Sequence, residues 1–163
     1  MNLCSRCAST GKTCCQQTDI LLTRADVSRI QLHSGRDDFF EHRPPEDPEC
    51  LGDEGDPNWL LYTLRMDGTR RVLRQTASGD CLFLNPAGCA LPGDVRPLVC
   101  RLHPLTYTEA GLTGLHPGCP GELAEPGQGV LQAIGMDLGA ARRWWEELYR
   151  ELRRELRPVD RAA

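Results

Sequence analysis

The sequence predicts an α+β fold, a small single domain of short helices and β-hairpins stapled through its cysteines and completed by a C-terminal amphipathic helix. Three observations carry that expectation. Nine cysteines are spread over 163 residues, 16 glycines and 12 prolines accompany only 6% aromatic side chains, and one clear apolar stripe lies near the C-terminus. A chain of this length can bury a real core. With so few large side chains, cross-links or bound metal must supply part of the stabilisation.

The first fifteen residues contain the run CSRCASTGKTCC, with Cys4, Cys7, Cys14 and Cys15. Cys4 and Cys7 form a CxxC pair, the spacing at which a tight turn brings two thiolates onto one metal ion. Cys14 and Cys15 are adjacent, and neighbouring side chains on an extended chain point to opposite sides. They are therefore expected to serve different centres, or one of them to bridge. A second set follows at Cys81, Cys89, Cys100 and Cys119, with Cys50 left over.

A disulfide framework is the competing explanation for nine cysteines, but it belongs to secreted chains. The N-terminal residues show no apolar h-region followed by a small-residue cleavage site, which predicts a cytoplasmic, reducing location. Cys14 and Cys15 also cannot pair comfortably. Their Cα atoms stand about 3.8 Å apart across a trans peptide, below the roughly 4.4–6.8 Å of a relaxed disulfide. Metal ligation is the favoured reading.

Along the chain, Thr23 and Asp26 match a capping box, Val27 and Ile30 supply an apolar i, i+3 pair, and Gly35 is a C-terminal stop. These predict a helix over 23–34. A second short helix is expected over 37–42, burying Phe39 and Phe40 before Pro44 and Pro45 end it. The acidic, proline-rich stretch 41–57 reads as a surface loop carrying Cys50, a free thiol or outer contact. The segment 59–66 (WLLYTLRM) looks strand-like, Asp67 and Gly68 offer a turn, and 71–75 is expected to return as its hairpin partner.

Cys81 and Cys89 flank the apolar run Leu82–Phe83–Leu84 and a Pro86 to Gly88 turn, so their sulfurs can meet as that loop closes. Asp94 is placed to cap a two-turn helix with Pro97 early and Pro104 as its stop. Cys100 would project from it. Arg96 and Arg101, at i−4 and i+1 from Cys100, are candidate contacts to a cofactor, offsetting thiolate charge or hydrogen-bonding sulfur. A further hairpin is expected from Tyr107 and Thr108 to 112–115, delivering Cys119 between Pro117 and Pro120. His103 and His116 lie close in sequence to these cysteines and are read as polar neighbours rather than ligands.

After a Gly, Pro and Glu linker at 123–129, the pattern turns helical from Val130, with Leu138, Ala141, Trp145, Leu148 and Leu152 on one stripe. Trp144 and Tyr149 fall off that stripe, which makes this helix the candidate surface for a protein partner. The division is then 1–122 as a cysteine-cluster metal-binding domain and 130–157 as a helix packed on it. A net charge of −4 gives no general attraction to nucleic acid. No apolar run reaches the roughly 18 residues of a bilayer span, so no membrane role is expected.

Taken together, CSRCASTGKTCC, CLFLNPAGC, RPLVCRLHP and the late GCPG resemble the YkgJ-type cysteine-cluster proteins, a domain described as chelating zinc or iron. The resemblance covers roughly residues 4–119, although the first motif here has extra residues between Cys7 and Cys14. It implies that Cys4, Cys7, Cys14, Cys15, Cys81, Cys89, Cys100 and Cys119 are the metal ligands. A related cysteine pattern occurs in the longer bacterial flagellin lysine N-methylases.

The function expected is metal binding through eight cysteines, with an iron–sulfur cluster or zinc as cofactor. Two alternatives stand beside it. One is a small cluster-dependent enzyme, for protein methylation or as a redox component; the other is a metal-stabilised adaptor that binds protein. The enzyme reading has to contend with the lack of a glycine-rich nucleotide fingerprint and of a CxxxCxxC motif.

Overall fold

The computed structural model describes residues 6–7, 15–16, 18–45, 56–119 and 121–156. Cys4, Cys14 and Cys50 lie outside the described residues, as does most of the acidic loop. Short helices, small antiparallel pairs and one long C-terminal helix make up an α+β fold.

The first helix, α1 (Arg24–Ser34), forms as its local signals dictate. The Thr23 side chain accepts from the Asp26 amide, and the Asp26 carboxylate accepts from the Thr23 amide, closing a complete capping box. Gly35 ends the helix in the left-handed region at φ 66°, its N–H reaching the Gln31 carbonyl at 2.8 Å. Ile30 is fully buried and Val27 packs beside it.

The segment expected as a second helix is instead a strand. β1 (Phe40–Arg43) pairs antiparallel with β2 (Arg70–Leu73), with Phe40 opposite Leu73 and Arg43 opposite Arg70. Six residues ended by two prolines cannot sustain a helix alone, whereas an aromatic-led run beside a partner strand gains a ladder. Phe39 does enter the core, tilted against Phe83 at 5.9 Å.

The expected hairpin over 59–75 also differs. Trp59–Thr63 is a short helix, α2, not a strand. Trp59 and Tyr62 both stack on Tyr149, an i, i+3 pairing that follows a helical period rather than an alternating one. The turn at Asp67 and Gly68 is present, with Gly68 at φ 78° donating to the Arg65 carbonyl at 3.0 Å, but it joins a helix to a strand. β2 finds its other neighbour in the chain before α1. Leu22 donates to the Arg71 carbonyl at 3.0 Å and Leu73 to the Ile20 carbonyl at 2.9 Å.

Then follow a minimal hairpin of β3 (Leu84–Asn85) and β4 (Gly88–Cys89), a five-residue helix α3 (Leu98–Leu102), and the expected hairpin of β5 (Leu105–Thr108) and β6 (Gly111–Leu115). The helical region after Val130 is broken in two. α4 (Val130–Ala133) is followed by Gly135 at φ 70°, and α5 (Leu138–Glu155) restarts with the Asp137 side chain accepting from Ala140 at 2.7 Å.

α5 docks through Ala141, Leu148 and Leu152, which join Leu98, Leu102 and Leu105 in one buried cluster. Leu138, counted on that stripe from sequence, is half exposed. Tyr149, read as lying off it, is buried in a ring cage of Trp59, Tyr62, Tyr107 and Trp145, and its hydroxyl donates to Asp56. It is core, so a partner surface on α5 has to be drawn from other residues. The signal for that burial is distributed over three segments, 56–62, β5 and α5 itself, and helical periodicity alone does not contain it.

One acid at the edge of this cage has a titration consequence. Glu109 accepts from Asn58 and Tyr62 at 2.7 Å each and from Arg153 at 2.8 Å. These bonds, in that order, hold its carboxyl down to about 2. Between that value and the usual 4.5 the unfolded chain binds a proton that the folded chain does not. The stabilisation is therefore present above the usual value and is lost as pH falls towards 2. Glu109→Gln should flatten the loss of unfolding free energy between pH 5 and pH 2 in denaturant titrations; parallel curves for the two proteins would refute the assignment.

Candidate metal centre

Four cysteines from three distant stretches converge on one apolar cluster. The Cys81 amide donates to the Cys15 carbonyl at 2.8 Å, and the neighbouring Gln16 bridges to Asp80, so the N-terminal segment lies antiparallel beside the chain entering Cys81. Leu84 then donates back to the Cys81 carbonyl at 2.9 Å and stands opposite Cys89 in the β3–β4 pair. Cys100 comes from α3. Cys81 is buried in the cluster with Phe39, Leu73, Phe83 and Leu91, and Cys15, Cys89 and Cys100 pack against it.

The electrostatics follow from that burial. Desolvation pushes the Cys81 thiol up to about 11, with the charges of Cys15 and Cys89 adding to it and the Phe83 amide opposing it. Desolvation also raises the Cys100 thiol well above its usual value, reinforced by Cys15, Cys81 and Cys89. Cys100 is thus within electrostatic reach of the other three, and Cys81 and Cys100 cannot collect charge cheaply without a cation. Among the described residues no disulfide joins any two cysteines.

Cys7 and Cys119 lie on other stretches of the chain. Cys7 is buried, and its thiol is raised by desolvation, then by Cys15 and Glu122. The adjacent Arg6 pairs with Glu125. Cys119 donates its amide to the His116 carbonyl at 3.1 Å, and the Gly118 amide reaches His116 Nδ1 at 3.1 Å. The His103 and His116 rings lie 5.8 Å apart, and burial followed by His116 lowers the His103 pKa.

The two arginines expected to serve a cofactor hold the loop that leads into α3. Arg96 Nε donates to the Leu91 carbonyl at 2.9 Å, and Arg101 Nε to the Arg96 carbonyl at 2.7 Å. A second nitrogen of Arg101 donates to the Asp94 carbonyl. Asp94 does not cap α3; Pro97 occupies the N-cap position, and the buried Leu98 amide at the helix start is met by Asp26 Oδ1 from α1 at 3.1 Å.

That buried carboxylate is a residue sequence reasoning missed in this role. Asp26 simultaneously accepts from Thr23, Leu98 and Arg29, and Arg29 passes the connection to Glu151 of α5 at 2.8 Å. Burial pushes the Asp26 carboxyl above its usual range, against the Thr23 amide and Arg29, which pull it down. The capping box announces Asp26 locally, but its free oxygen is recruited by a helix 72 residues away, and no local pattern announces that.

Among the described residues no group of three or more His, Cys, Asp or Glu side chains is arranged to hold a metal ion. The donor chemistry fits one nonetheless. Four thiols gathered on one apolar cluster match, in type and number, a closed zinc site or a four-cysteine iron–sulfur cluster. Each thiol sulfur is re-aimed by rotation about a single bond, χ1.

A family model with the pattern CxxCxxCC, described as a putative zinc- or iron-chelating domain, matches residues 3–120. Comparison with curated proteins and with solved structures gives no match. No described helix is long and apolar enough to cross a membrane.

Proposed function

The chain belongs to the CxxCxxCC family of zinc- or iron-chelating domains, and from that premise we propose that it holds zinc or an iron–sulfur cluster through Cys4, Cys7, Cys14, Cys15, Cys81, Cys89, Cys100 and Cys119. The observation that supports this best is the meeting of Cys15, Cys81, Cys89 and Cys100 on one apolar cluster. Of these, the Cys81 and Cys100 thiols are costly to ionise unless a cation compensates them. In this reading the metal-binding part is 1–122, and 130–157 is the helical region docked on it. Arg96 and Arg101 serve the centre by fixing the loop before Cys100. The bound group supplies either a closed structural cross-link or, as an iron–sulfur cluster, a redox centre.

Elemental analysis and an absorption spectrum on protein purified without oxygen test the reading. Iron with acid-labile sulfide and a broad visible band identifies a cluster; colourless protein with stoichiometric zinc identifies a thiolate zinc site. Protein that carries neither, and takes up neither when reduced and resupplied, overturns the proposal.

A further inference from the structure

We propose that the groove between the β5–β6 hairpin and α5 is a self-association surface that takes a second copy of this chain. The groove has a volume of about 440 Å3 and is walled by Leu112 and Leu115 of β6, Leu131 of α4, and Leu138 and Trp145 of α5. Leu115 and Leu138 keep 45% and 50% of their surface exposed. Two large aliphatic side chains left open on one groove have apolar surface to hide, and a contact that removes it from water gains free energy. Among the described residues no cysteine lines this groove, so the proposal stands apart from the metal-binding reading.

The charges on the groove identify the occupant. Arg142 and Glu146 line it about one helical turn apart on α5. That is the spacing at which opposite charges can pair along a helix. Among the described residues, however, neither side chain makes an ion pair or hydrogen bond with the other or with any third residue, whereas the adjacent Glu147 reaches Arg29 at 3.4 Å. Two opposite charges held four residues apart form a self-complementary pattern. A two-fold axis crossing α5 between them runs two copies of the helix antiparallel and sets Arg142 of each against Glu146 of the other. A partner surface of uniform sign would meet one of the two with a like charge; a second copy satisfies both. The patch is small beside a permanent interface, so the association is weak and depends on concentration.

Sedimentation velocity over a concentration series tests this, with reductant present so that no intermolecular disulfide contributes. Wild-type protein is expected to pass from monomer to dimer as concentration rises. Arg142→Glu and Glu146→Arg each set like charges against one another across the two-fold axis, so each variant alone should dimerise at least about tenfold more weakly. An equimolar mixture of the two should recover the wild-type affinity as a heterodimer, because the facing charges are again opposite at both contacts. Both side chains are exposed, and the recovery itself shows that the variants are folded. Wild-type protein that stays monomeric throughout would give the groove to a different molecule and overturn the proposal. Dimers indifferent to either reversal, or a mixture that associates no better than its components, would overturn it as well.

Discussion

Cys100→Ser protein is expected to lose bound metal and to melt far below the wild type. The thiol projects from a helix of only five residues, too short to be stable by itself. Bound metal is what would repay ordering that turn against Cys15, Cys81 and Cys89. In small metal-folded domains a structural zinc supplies about 10–16 kcal/mol of apparent binding free energy, most of it available to folding. Losing one thiolate ligand should therefore cost on the order of several kcal/mol, more than the roughly 0.5–3 kcal/mol of an ordinary substitution. Cys100→Ala separates the two sources of damage, because it removes the ligand without burying a hydroxyl. Metal per chain and a thermal melt on both variants decide the matter; a metal-replete Cys100→Ser protein with an unchanged melting curve would contradict ligation.

Asp26→Ala is expected to destabilise the fold by about 3–5 kcal/mol, the range for deleting one partner of a buried ion pair. The side chain is completely buried, and its loss strands the Thr23 and Leu98 amides together with one face of Arg29. Arg29 keeps Glu151, which limits the damage to the arginine. Asp26→Asn should fall between the two proteins, since an amide oxygen can still accept from one backbone N–H but no longer balances the guanidinium. Because Leu98 begins the helix carrying Cys100, metal affinity should also fall, by roughly 10–100-fold as for other residues that orient a ligand from behind. Chemical denaturation together with a competitive chelator titration reads both effects. Wild-type affinity in a destabilised Asp26→Ala protein would show that Asp26 serves folding alone.

What the sequence discloses depends on how far apart the deciding partners are. α1 is written in consecutive residues, since Thr23, Asp26 and Gly35 each act within one turn of themselves. The β5–β6 hairpin and the Cys81 to Cys89 loop are legible for the same reason. The local pattern of 37–42 and 59–66 suggests the wrong periods because their structure is decided from elsewhere, β1 by its pairing with β2 and α2 by the ring of Tyr149. The candidate site divides along the same line. Cysteine spacing names the sulfurs, but their grouping depends on the register of the N-terminal segment against residues 80–81 and on the packing of α3. Tyr149 misleads for a related reason: helical periodicity counts neighbours along one helix, and much of its cage is drawn from two other elements, α2 and β5.

The position of Val99 gives α3 an architectural meaning larger than its length. That residue packs both against the cluster holding the cysteines and against the one under the terminal helix, while Leu98 and Leu102 on the same helix belong wholly to the second. One and a half turns of chain thus act as a party wall between two rooms. Neither room can be emptied without taking down the wall of the other, and a chain with few large side chains gains from this a single cooperative unit where two weak ones would otherwise stand.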